Sequence, residues 1–159
     1  VSSQHLNTMT VKDLIKEILL LDKNWGQGFE KSYLINIISL IKDRSKTITE
    51  ILEMSQIFMK DSIVVETDLI DKSFDENAVI ILGDFKAALE IQDHWNKEAI
   101  ENIFDNLMTQ HGVAIGKIMK PVRIALTGIP FGPGIFDLIV LLGKNKCMAR
   151  IEKILNSVS

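Results

Sequence analysis

Lys120-Pro-Val-Arg-Ile-Ala-Leu-Thr-Gly128, followed by Ile129-Pro-Phe-Gly-Pro-Gly134 and Ile135-Phe-Asp-Leu-Ile-Val-Leu-Leu-Gly-Lys144, is the stretch that decides the fold. It reads as helix, rigid loop, helix. Proline suits a first helical turn, so Pro121 is expected to open a short helix over 122–127, which Gly128 ends. The loop is stiff at its prolines and permissive at its glycines. Ile135, Leu138, Ile139 and Leu142 then share one helical face, closed by Gly143. Cys147, Met148, Ile151, Ile154 and Leu155 place a final helix behind it.

Working back towards the start, helical periodicity persists. Val11, Leu14, Ile15, Ile18 and Leu19 fall at offsets 0, 3, 4, 7 and 8 after Thr10, a residue suited to capping. Asn24-Trp25-Gly26-Gln27-Gly28 breaks that helix, and Tyr33, Leu34, Ile37, Ile38 and Ile41 line the next. Thr47 and Glu50 have capping-box spacing, which predicts a third helix burying Ile48, Ile51, Leu52, Phe58 and Met59. Ser62-Ile63-Val64-Val65-Glu66 is β-branched but has no partner strand, so it is read as an extended connector. From Asp75 the helical pattern resumes through Val79, Leu82, Phe85 and Leu89. Asn96 should cap another helix, with Ile100, Ile103, Phe104, Leu107 and Met108 inside and Gly112 as its stop. The expected fold is therefore all-α, in two helical subdomains, 1–62 and 63–159.

Composition is that of a globular chain, 47% apolar and 25% charged over 159 residues. No apolar run approaches the ~20 residues that cross a bilayer, and the first ten residues lack a signal-peptide pattern. With a single cysteine, Cys147, a cytoplasmic location is expected. The formal net charge is −3. It is unevenly spread: residues 1–110 hold 11 Lys/Arg against 19 Asp/Glu, whereas residues 111–159 hold 7 against 2. A basic region attracts a polyanion whatever the total charge.

The residues that carry chemistry are sparse. His5, His94 and His111 are scattered, without a Cys or carboxylate at metal-ligand spacing. Cys147 lies on an apolar helix face, where a thiol is usually inert. The 128–134 loop lacks the Lys and Ser/Thr that a nucleotide-binding P-loop requires after its last glycine. Asp68, Asp71, Asp75 and Glu76 read as a solvated acidic surface. No catalytic residue and no metal site are expected. A helical protein-interaction module without RNA affinity is the rival to an RNA-binding reading.

The quoted C-terminal stretch resembles the end of bacterial glutamyl-tRNA synthetases, whose pattern runs Q-P-L-R-x-A-L-T-G, then a loop ending S/T-P-G/P, then L-F-E-x-L-x-L-L-G-K. Arg150-Ile-Glu-Lys-Ile-Leu155 is similar to the family's R-R-L-E-R-A-L, Arg44-Ser-Lys-Thr-Ile48 to R-x-K-T-L, and His5-Leu6-Asn7 to W-L-N. The resemblance implies a class I synthetase whose catalytic half, using ATP with Mg, precedes residue 1. The family's H-x-G-H and K-M-S-K signatures have no counterpart in this chain. This part would then need no cofactor of its own. It would stack two helical subdomains into a cage that grips the anticodon stem-loop of glutamate tRNA.

By the same resemblance, Arg44 lies near the third anticodon base and Arg123 near the first, with Gly132, Pro133 and Ile135 forming the loop that holds the first base. Gly132 stands where the family often has Ser or Thr, which removes a hydroxyl. Lys120 replaces the usual Gln, and with Lys117 it is suited to phosphate contacts.

Overall fold

The structure, a computed structural model, describes residues 8–159; His5-Leu6-Asn7 lies outside them. Nine α-helices and one 3-10 turn account for the regular structure of the described residues, and none of these residues forms a strand. The chain divides into two compact units between Lys60 and Asp61.

In the first unit, α1 (Val11–Leu21), α2 (Lys31–Ile41) and α3 (Ile48–Met59) pack pairwise. Thr10 caps α1, its Oγ1 accepting the Asp13 amide at 3.1 Å. Leu14 and Ile18 are fully buried with Ile37, Ile38, Ile41, Ile51 and Phe58. Leu19 departs from its expected place in that core. It is 39% exposed, and Leu20 and Leu21 are more so. Trp25, in the glycine-bordered break, points inward and donates Nε1–H to Ser55 Oγ at 3.0 Å. Thr47 caps α3 through the Glu50 amide. The reciprocal bond lands one residue early, on Lys46 N–H rather than that of Thr47. Leu52 and Met59 are only half-buried, and Met54 and Ile57 take the inner positions.

The second unit begins with the extended connector 62–66 and holds α4 (Thr67–Ser73), α5 (Glu76–Glu90), α6 (Lys97–His111), α7 (Gly116–Thr127), α8 (Ile135–Leu142) and α9 (Lys144–Val158). The short α4 has no buried residue. Without an apolar stripe, nothing in the pattern announced it. Asp75 and Asn96 cap α5 and α6, each accepting an amide three residues on at 2.8 Å. Gly112 ends α6 at φ 62°. The core forms where α9 crosses α5, α7 and α8, and where α6 meets α5 and α8. Phe104 sits at its centre, edge-to-face with Phe85 at a ring separation of 5.3 Å on one side and with Phe136 at 5.0 Å on the other.

One boundary differs in a way that matters for the site. α7 starts at Gly116, so Pro121 is its sixth residue and not its first. Proline has no N–H to give the carbonyl of Lys117, four residues back. Lys117 is exposed, so water can serve that carbonyl, and Ile118, fully buried, anchors the added turn. The proline is tolerated because only one bond near the helix start is lost.

Candidate nucleic-acid interface

The loop between α7 and α8 is braced at both ends. At its start, the Thr127 hydroxyl lies 2.8 Å from the Arg123 carbonyl and 3.0 Å from that of Ile129, and accepts the Ile129 amide at 3.1 Å. Gly128 closes α7 in the left-handed region at φ 77°, and a Cβ there would meet the Val64 carbonyl at 3.1 Å. Connector and loop thus touch through backbone. At the far end, Arg123 reaches across, its Nη1 donating to the Pro133 carbonyl at 2.7 Å. Such a charge-assisted bond is shorter and stronger than a neutral one. Gly132 has φ 142°, and a Cβ on it would stand 3.4 Å from the same Nη1.

The loop's side chains are sorted by this bracing. Pro133 and Ile135, both expected at the first base, are buried; Ile135 packs at the head of α8. Their side chains fix the loop, and what they offer outward is backbone. Arg123 and Gly132 are half-buried, while Pro130, Phe131 and Gly134 face solvent. The hydroxyl missing at Gly132 has a backbone cause as well, since φ 142° is a conformation L side chains rarely adopt. Arg123, Gly132, Pro133 and Ile135 are brought into one corner. Arg44 belongs to the first unit, exposed at the end of the 3-10 turn Lys42–Arg44.

Lys117 and Lys120 are exposed and precede Arg123 by six and three residues on the same helix. With Lys72 and Ser73 at the end of α4, and Asp75, they line a polar cavity of about 360 Å³. Among the described residues, no carboxylate comes within 4.0 Å of any of these three ammonium groups. The Asp75 carboxylate is engaged with the Ala78 amide. His111, on the cavity's rim, pairs instead with Asp84 at 2.8 Å. Lys72 was invisible as a site residue because its neighbours in sequence are acidic.

Not every positive charge counted in the sequence is available to a polyanion. Arg150 is 2% exposed and donates Nη1–H to the Leu126 carbonyl at 2.8 Å, fastening the last turn of α7 to α9. Lys146 is partly withdrawn too. Burial, with Arg150 nearby, lowers its pKa, against a raising influence from Asp61. Among the described residues no group of three or more His, Cys, Asp or Glu could hold a metal ion. Burial pushes the Cys147 thiol up to about 12, so it stays protonated and unreactive at neutral pH.

The model of a family described as an anticodon binding domain matches residues 9–155. The chain belongs to the anticodon-binding-domain family. This anticodon-binding domain is 31% identical over 163 aligned residues to a glutamate–tRNA ligase of Chloroherpeton thalassium, spanning 96% of this chain and 32% of that protein. Glutamate–tRNA ligase 1 of Caldanaerobacter subterraneus subsp. tengcongensis is 30% identical over 129 residues, covering 80% and 27%. The domain thus spans about a third of the length of the curated relatives it matches. In fold it is similar to the crystal structure of a glutamate tRNA ligase from Elizabethkingia meningosepticum in complex with its amino acid. The TM-score is 0.84 at 22% identity, over 99% of this chain and 31% of that one. The family match favours the anticodon-binding reading over a helical interaction module. Among the described residues no helix is long and apolar enough to cross a membrane.

Proposed function

We propose that this chain is the anticodon-binding part of a cytoplasmic glutamate–tRNA ligase, gripping the anticodon stem-loop of glutamate tRNA. The activity of such an enzyme, joining glutamate to tRNA at the expense of ATP with Mg, resides in a part of the protein that this chain does not include. The observation that carries the reading is the braced loop after α7, in a domain matched to the anticodon-binding family over 9–155.

The mechanism divides into holding and reading. Anticodon-loop bases are single-stranded and can be splayed out for individual recognition. Lys117 and Lys120, with Lys72 on the same cavity, neutralise backbone phosphates and supply salt-dependent affinity. Arg123 fixes the Pro133 carbonyl, and its planar guanidinium is suited to the edge of the first anticodon base beside that loop. Gly132 lets loop backbone approach the same base, with Pro133 and Ile135 seated beneath it. Arg44, exposed in the first unit, reads the third base.

The test is a gel shift of the chain with glutamate tRNA at two salt concentrations. Binding that weakens steeply with salt is expected. Salt-insensitive or absent binding returns the domain to a protein-interaction role. ATP–pyrophosphate exchange by this chain should stay at background; clear exchange would overturn the assignment of catalysis elsewhere.

A further inference from the structure

Of the seven phenylalanines, six are buried or half-buried and Phe131 alone is exposed, at 64%. It stands at the tip of the α7–α8 loop, with no ring partner among the described residues. A large apolar side chain left in water is uninformative when scattered on a surface. This one is different because of what holds it. Pro130 precedes it, and Gly132-Pro133 follow. The Thr127 hydroxyl pins Ile129 on one side, and the Arg123 guanidinium pins the Pro133 carbonyl two residues beyond on the other. The ring is thus displayed on a loop whose backbone is already fixed at both shoulders. Ordering it on binding costs little entropy.

We propose that Phe131 is a stacking platform for one unstacked base of the anticodon loop. The inference rests on the proposed function and adds to it a contact of a different kind. Every base has a π-face, so an aromatic ring holds any of them, and stacking raises affinity without reading sequence. Arg123 acts within the same corner on the base edge. A flat face and an edge donor are the two elements needed to hold a splayed-out base. The apolar ring contributes nothing to phosphate binding, so its removal leaves the salt dependence intact.

The probe is an anticodon stem-loop of glutamate tRNA carrying 2-aminopurine at one anticodon position at a time. With the unaltered chain, fluorescence at one position falls on binding, as the base stacks on the ring. Phe131→Ala should abolish that quench and weaken binding by about five- to a hundredfold. The slope of log affinity against log salt should not change. Phe131→Tyr and Phe131→Trp should bind like the unaltered chain, whereas Phe131→Leu should behave like the alanine variant. A role in mere packing would be filled by leucine. Wild-type affinity in both the alanine and leucine variants overturns the stacking site alone. Failure of the unaltered chain to bind any RNA removes the proposed function, and this site with it.

Discussion

Restoring a serine at Gly132, as the resembled family carries before its loop proline, should weaken this chain. Gly132 has φ 142°, where an L side chain crowds its own backbone at a cost of about 1–3 kcal/mol. The new Cβ would also stand 3.4 Å from Arg123 Nη1, at the inner edge of ordinary contact. That nitrogen is the one donating to the Pro133 carbonyl at 2.7 Å. Displacing it forfeits part of a bond with a net worth of about 0.5–1.5 kcal/mol. Together these give roughly 1.5–4 kcal/mol, a fall in Tm of roughly 3–16 °C for a chain of this size. The assay is thermal unfolding followed by circular dichroism for Gly132→Ser, Arg123→Ala and the double variant. The crowding part should vanish in the Arg123→Ala background, while the φ cost persists. A Gly132→Ser melt indistinguishable from wild type would refute the argument, since the loop would then have a backbone alternative free of strain.

Arg150→Met should destabilise by about 2–3 kcal/mol, because the Leu126 carbonyl loses a charged donor in the interior; urea unfolding measures it. Asn96→Ala removes the cap of α6 and should cost about 1 kcal/mol in the same assay. Cys147 ionises near 12 in the fold against 9.0 ordinarily, so its contribution to stability is complete below pH 9 and is lost as pH rises towards 12. Stability should fall by about 1.4 kcal/mol per pH unit within that window. Cys147→Ala should lack this component when urea midpoints at about pH 8 and 10 are compared. Lys146, with a lowered pKa, acts in the opposite direction and is common to both proteins. Equal alkaline losses in the two would contradict the assignment to Cys147.

The helices were legible because their stripes and caps are written locally. Thr10, Thr47, Asp75 and Asn96 each bond the amide three residues on. What escaped was set by tertiary packing. α7 begins before Pro121 because Ile118 is swallowed by the core, which no propensity rule weighs against a proline. α4 carries no buried residue, so periodicity had nothing to register. The corner of Arg123 with 132–135 was found through resemblance, yet its division of labour was hidden. Sequence alone does not tell that Pro133 and Ile135 face inward while Phe131 faces out. Nor does it separate Arg150, spent inside on a carbonyl, from Lys117 and Lys120 on the rim of a cavity.

The most direct measurement is the affinity of this chain for glutamate-tRNA anticodon stem-loops in which each anticodon base is exchanged in turn. With the unaltered protein, exchange of the first or third base should each weaken binding by about five- to a hundredfold, as expected for a lost bidentate contact. Arg123→Ala should erase the first-base penalty and Arg44→Ala the third. Equal affinity for every anticodon, with both arginine variants weakening all of them alike, would mean that the guanidiniums only neutralise phosphate and that the reading of bases lies elsewhere.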